Sequence, residues 1–164
     1  MGSVVALGIR LACGLVLGIA GLGAGLAGAA CRPDAVEVRG AGSVARFTVE
    51  VADEETERAR GLMDRASMAS SAGMLFVYET PRRARFWMRN TLIPLDMIFV
   101  DQTGLVTRVH ENAIPLDETG IDGGPDVTFV LEINGGLARK LGITPGATLR
   151  HPAVPQDLAI WPCN

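Results

Sequence analysis

"ARFTVEVA" (residues 45–52) alternates without a break: Phe47, Val49 and Val51 fall on one side of an extended chain, and Arg46, Thr48 and Glu50 on the other. A period of two with large apolar residues on one side marks a strand with one buried face. Upstream, "VEVRG" (36–40) repeats the pattern, and Gly40 to Ser43 supply a turn, so the two segments predict a hairpin. Downstream, Asp53 is expected to cap a helix with an acidic first turn and with Arg58 and Arg60 later, an order that suits the helix dipole. That helix should stop near Gly61 to Asp64.

Beyond the Ser- and Ala-rich "ASMASSAG" (66–73), strand signals recur in "GMLFVY" (73–78), "ARFWMRN" (84–90), "LDMIFVD" (95–101) and "LVTRVHEN" (105–112). A further one, "DVTFVLEI" (126–133), follows Gly123, Gly124 and Pro125. The links "ETPRR", "TLIP" and "QTG" are expected to reverse the chain. Gly136 to Leu141 reads as a short helix stopped at Gly142, and "TPGATL" (144–149) as a turn into a last strand. Short strands at this spacing predict a mainly β (α+β) fold: a compact antiparallel β-barrel or sandwich-like domain with one or two short helices, in preference to a parallel sheet with crossover helices.

Residues 1–30 carry one charge, Arg10, before a Leu, Ala and Gly run that ends in small residues. This is the pattern of a signal peptide cut after Ala30. If retained, Leu11 to Ala30 would just span a bilayer, which needs about 20 apolar residues. Cleavage leaves 164 minus 30, or 134 residues, a length expected to form one monomeric domain, periplasmic or secreted. The formal net charge of −3 becomes −4 once Arg10 is lost, and no basic stripe suggests a nucleic-acid partner. Residues 31–36 form a short N-terminal segment, and 151–164, "HPAVPQDLAIWPCN", a Pro-rich extended strap. The two cysteines left after cleavage, Cys31 and Cys163, are expected to pair in a disulfide joining the chain ends. The rival reading lipidates Cys31 as a membrane-anchored lipoprotein, but Gly28 stands where that signal usually has Leu.

In "FWMRNTLIPLDMIFVD" (86–101), alternation puts Asp96 on the same side as Ile98 and Val100. A buried carboxylate must be paired or hydrogen-bonded. One reading gathers Arg60, Arg65, Trp87, Asn90, Thr91 and Asp96 into a cleft at a barrel mouth, open to a small polar ligand or an envelope protein. A second has Arg60 reach from the helix end to Asp96 while Asn90 and Thr91 bond the turn. A third makes Asp96, with Glu111 or Glu132, the acid/base pair of a carbohydrate-directed envelope hydrolase, which requires a carboxyl separation of about 5 to 10 Å. No serine sits in a nucleophile elbow, and "HENAI" (110–114) lacks the second histidine of the zinc-protease motif. Met63, Met68, Met74, Met88 and Met97 are core filler, with Cu(I) binding as the alternative; no cofactor is assigned. Arg82, Arg83 and Arg85 form a basic turn, either solvated or a site for an anion or lipid headgroup.

"RARGLMDR" (58–65), "GMLFVY", "FWMRNTLIPLDMIFVD", "VHENA" (109–113) and "GGPDVTFVLEINGGLARKLGITPGATL" (123–149), in that order, closely resemble the domain of unknown function 192 family over roughly residues 37 to 150. The family pattern is matched at Arg60, Gly61, Leu62, Met63, Gly73, Met74, Phe76, Trp87, Met88, Asn90, Thr91, Pro94 and Asp96. The resemblance implies a compact, mainly antiparallel β structure with one or two short helices and carries no established activity. The tail after Leu149 departs from it. The expectation for function is therefore a non-enzymatic binding or accessory module.

Overall fold

The computed structural model describes residues 1–2 and 30–163, so all but the edges of the expected signal segment lie outside the described residues. Seven strands and two short helices follow in the order β1 (Ala35–Arg39), β2 (Val44–Ala52), α1 (Glu55–Arg60), β3 (Ala72–Phe86), β4 (Leu95–Val100), β5 (Val106–Ala113), β6 (Ile121–Asn134), α2 (Leu137–Lys140) and β7 (Thr148–Arg150). They form one sheet, ordered β5-β4-β6-β3-β2-β1-β7 and curled into a half-barrel. Its two ends approach one another through a bridge between Leu105 and Thr148.

The β1–β2 hairpin forms as expected, with the Gly40 N–H donating to the Ser43 carbonyl at 3.1 Å. All pairings are antiparallel except β2 with β3, where Val49 lies beside Gly73 and Val51 beside Leu75. Joining two parallel neighbours requires a long return path, and α1 with the loop to Ser71 provides it. The cap of α1 is Glu54 rather than Asp53; its N–H donates to the Glu57 carboxylate at 3.3 Å. Gly61, at φ 51°, ends the helix in a conformation that glycine adopts without steric cost.

"ETPRR" does not reverse the chain. Strand β3 runs through it, and only its ladder with β6 slips: Val77 faces Phe129 and Arg82 faces Val127. The extra residues bulge outward around Pro81, which has no N–H to give to a ladder. The strand then stops at Phe86, leaving Trp87 to Asn90, which were read as part of the strand "ARFWMRN", in a turn. Gly123 and Gly124 likewise belong to β6; a Cβ at Gly123 would sit 2.3 Å from the Phe99 ring, so the strand can cross that ring only as glycine.

The sheet buries apolar groups on both faces. Inside the curl, all seven strands contribute, among them Val36, Phe47, Leu75, Ile98, Val106, Phe129 and Leu149. On the other face of the central strands, Met74, Phe76, Leu95, Met97, Phe99 and Val130 pack beneath Leu62, Met88 and Ile93 from the loops after α1 and β3. Strand β4, covered on both sides, is buried at every position.

The ends of the chain are tied together. Cys31 and Cys163 form a disulfide with Cα atoms 5.4 Å apart, and the His151 ring bonds the Pro33 carbonyl through Nε2 at 3.0 Å. Trp161 is covered by the guanidinium groups of Arg39 and Arg150, 3.9 and 4.4 Å from its ring centre. Burial holds His151 below the usual histidine range, against the opposing pull of the Pro33 bond. Among the described residues, no helix is long and apolar enough to cross a membrane.

Candidate functional site

Asp96 and Glu132 sit on adjacent strands but on opposite faces. In the β4–β6 register, Asp96 faces Ile133, part of the core inside the curl, whereas Met97 faces Glu132 on the outer face. The two carboxyl groups therefore have different surroundings and different work.

Asp96 is fully buried and committed to backbone amides. Its Oδ1 accepts from the N–H groups of Asn112 (2.8 Å) and Gly136 (2.9 Å), and its Oδ2 from that of Ala138 (2.7 Å). Three charge-assisted bonds to one carboxylate replace the water it lost on burial. They also fasten β4 to the end of β5 and to the start of α2. Arg60 does not reach it; the lock between α1 and the sheet expected through that pair is absent. Glu111 is likewise engaged, paired with Arg139 at 2.5 Å. Glu132 thus faces away from Asp96, and Glu111, on the neighbouring strand, is held in an ion pair.

Glu132 has neighbours of another kind. In the register it is flanked by Met74 of β3 and Met97 of β4, and it retains only 4% of its exposure. Burial alone pushes its carboxyl up to about 8, so the group is mostly protonated at neutral pH. It forms the floor of a cleft of about 260 Å³. Phe76, Phe86 and Tyr78 line one wall, Arg58, Arg60 and Met63 come from α1 and the loop that follows, and Trp87 and Thr91 from the turn after β3, with Arg85 at the mouth. A more open trough of about 630 Å³ shares Arg58, Tyr78 and Arg85 with it and adds Glu55, Arg82 and Arg83.

The walls are held by the backbone. The Asp64 N–H donates to the Asn90 carbonyl at 2.8 Å, joining the loop after α1 to the turn after β3. That turn is fixed from its other side by the Met88 N–H on the Asp117 carbonyl (2.8 Å) and the Leu116 N–H on the Thr91 carbonyl (3.1 Å). Asn90 takes a positive φ of 54°, a conformation Asn tolerates better than most residues. It serves the turn and does not line the cleft.

Of the residues singled out in the sequence, Arg60, Trp87 and Thr91 meet around one opening. Arg65 lies in an adjoining hollow, paired through both guanidinium nitrogens with Glu50 at 2.5 and 2.6 Å. Sequence reasoning missed Arg58, Tyr78 and Arg85 as parts of this site. It named Glu132 only as a hydrolytic partner, because alternation in "DVTFVLEI" sets Glu132 on the side of Asp126 and Thr128, with Val130 alone to suggest that this side is covered.

Two arginines stack on Tyr78, Arg82 at 5.0 Å and Arg58 at 5.4 Å from the ring centre. Burial raises the tyrosine hydroxyl above its ordinary value despite these two charges. Trp87 remains half exposed, with Arg89 5.8 Å from its ring centre. Met74, Met88 and Met97 belong to the outer core, Met68 packs against it, and Met63 borders the cleft. Among the described residues, no group of three His, Cys, Asp or Glu side chains is placed to hold a metal ion.

The family model DUF192, described as "Uncharacterized ACR", matches residues 36–151. No curated protein matches the chain. Among solved structures, a protein of unknown function from Novosphingobium aromaticivorans DSM 12444 is 44% identical, with a TM-score of 0.69; the match covers 70% of this chain and 82% of that one. A Sinorhizobium meliloti 1021 protein described as a candidate transcription regulator is 40% identical, with a TM-score of 0.68, covering 73% of this chain and 94% of that one.

Proposed function

This chain belongs to the DUF192 family, and from that premise we propose that it is a non-enzymatic binding module that takes a small polar ligand into the cleft above Glu132. One observation carries the reading: a buried carboxyl with no compensating charge forms the floor of an opening walled by aromatic rings and arginines. A mostly apolar pocket with a few convergent polar groups is the usual form of a small-molecule site. A largely protonated carboxyl offers a ligand both a donor and an acceptor, unlike the ionised surface carboxylates of the same chain.

The binding reading is favoured over hydrolysis because the candidate carboxylates are engaged with other groups or face apart. Asp96 is consumed by three amides, Glu111 by Arg139, and Glu132 faces the other way. A formal net charge of −3 gives no support to the nucleic-acid binding that a transcription regulator such as the Sinorhizobium protein's description suggests would need. We place the module in the periplasm or outside the cell. The disulfide, of a kind that persists in oxidising compartments, supports this location, and it leaves Cys31 no thiol to carry a lipid.

The test is a small-fragment screen by NMR on the chain from Cys31 onward. The two tryptophan side chains give separate indole N–H signals, and Trp161, enclosed by Arg39 and Arg150, serves as the internal control. The reading expects hits to shift the Trp87 indole together with the amides of Tyr78 and Thr91. Hits scattered over the surface, with those signals unmoved, would overturn it.

A further inference from the structure

We propose that the ligand of this cleft is a small organic anion, its carboxylate or phosphate held by Arg58 and Arg85 and its ring or apolar body lying between Tyr78 and Trp87 against Glu132. The inference rests on the binding reading above and specifies the ligand's charge and shape.

The arginines are the first observation. Among the described residues, ion pairs occupy Arg32, Arg46, Arg65, Arg83, Arg139 and Arg150. No carboxylate pairs with Arg58, Arg60, Arg82 or Arg85, and all four border the cleft or its trough. Arg39, Arg89, Arg108 and Lys140 also lack a carboxylate partner but lie elsewhere, so in a chain with more acidic than basic residues half of the described unpaired cations gather at one opening and its trough, and we read them as charge kept for an external partner. Arg58 is also aimed by the fold. Its Nη1 donates to the Val77 carbonyl at 3.0 Å and to that of Asp53, which fixes the guanidinium beside Tyr78 and leaves other N–H groups free. Guanidinium groups bind carboxylate and phosphate through paired donors, and holding them in place beforehand lowers the entropy lost on binding.

The floor is the second observation. Facing Glu132 around the cleft are Tyr78 and Arg85 from β3 and Arg58 and Arg60 from α1; β4 contributes only Met97 beside it. An ionised floor would repel a ligand anion, whereas a protonated one donates a hydrogen bond to it. The site thus suits an anion as long as Glu132 keeps its proton.

The walls are the third. Tyr78, Phe86 and Trp87 present ring faces and edges around a volume of about 260 Å³, which suits a single ring bearing one charged group. A bare inorganic anion would leave those surfaces unused.

The test compares three probes sharing one ring and differing in charge: benzoate, phenyl phosphate and benzyl alcohol, with inorganic phosphate as the ringless control. Affinities are read from the Trp87 indole shift at pH 6.5 and pH 9.5. At pH 6.5 benzoate or phenyl phosphate is expected to bind at least tenfold more tightly than benzyl alcohol and than inorganic phosphate. In Arg58→Ala and in Arg85→Ala, the anion's advantage should fall about tenfold while benzyl alcohol is unaffected. At pH 9.5 the anions should weaken in the native chain and keep their affinity in Glu132→Gln.

Equal binding of benzyl alcohol and the anions would overturn the charge assignment while leaving the binding module intact. Equal binding of inorganic phosphate and phenyl phosphate would overturn the ring. An absence of shifts at Trp87 with any probe, together with a failed fragment screen, would remove both readings.

Discussion

Replacing Glu132 with Gln tests the physical premise of the site without any ligand. The unfolded chain releases this proton near 4.5, whereas the folded chain holds it to about 8. Between those values the folded state binds more protons than the unfolded one, so stability must fall as pH rises. The contribution is fully present below 4.5 and has been lost once pH passes 8. The interval spans roughly three and a half pH units at about 1.36 kcal/mol each, which caps the loss at about 5 kcal/mol, of which about 4 has accrued by pH 7.5. Gln has nearly the shape of the protonated acid and no proton to lose. Urea denaturation of both proteins at pH 5, 7 and 9 isolates the effect, because the other titrating groups cancel in the difference. The variant should match the native chain near pH 4.5 and gain on it steadily, becoming several kcal/mol more stable by pH 9. Parallel stability curves would show that the carboxyl ionises freely and would refute the account of the floor.

Two further outcomes follow from the fold. Asp96→Ala strands three amides, that of Ala138 buried and those of Asn112 and Gly136 partly so, and should cost about 2 to 4 kcal/mol, read by urea midpoint, with faster hydrogen exchange at Gly136 and Ala138; a loss under about 1 kcal/mol would contradict the bonding described. Cys31→Ser opens a loop spanning 132 residues and should lower stability by up to about 5 kcal/mol in the chain-entropy picture, an effect that reductant reproduces on the native chain and not on the variant. Unchanged melting in both would mean that the strap is held by His151 and Trp161 alone.

Strand identity was legible wherever one face is buried and the other wet. "ARFTVEVA" is the clearest case, and its hairpin partner followed from the turn at Gly40 to Ser43. Legibility failed where a local signal competed with pairing across the sheet. "ETPRR" has the composition of a turn, yet its neighbours remain paired with β6, and the chain absorbs Pro81 as a bulge. The parallel pairing of β2 and β3 was equally hidden, because a period of two gives no strand direction. At the site, alternation rightly set Asp96 on an apolar side but could not name its partners, which are backbone amides with no signature in residue type. The cleft escaped for a related reason: Arg58, Tyr78, Arg85 and Glu132 are spread over some 75 positions and meet only through the β3–β6 pairing and the return of α1.

The place of β1 in the sheet bears on how the molecule comes to be built. This strand, the first in the chain, lies between β2 and β7, the last. Val38 pairs with Leu149, so the sheet cannot be completed until nearly all of the polypeptide is available. Contacts so remote in sequence are slow to form, because a long loop must close before they return any free energy. During synthesis β1 is an edge without its outer neighbour, and open edges invite pairing with other chains. A chain with this topology benefits from being kept unfolded until it is whole, after which the Cys31–Cys163 bond secures the contact that forms last.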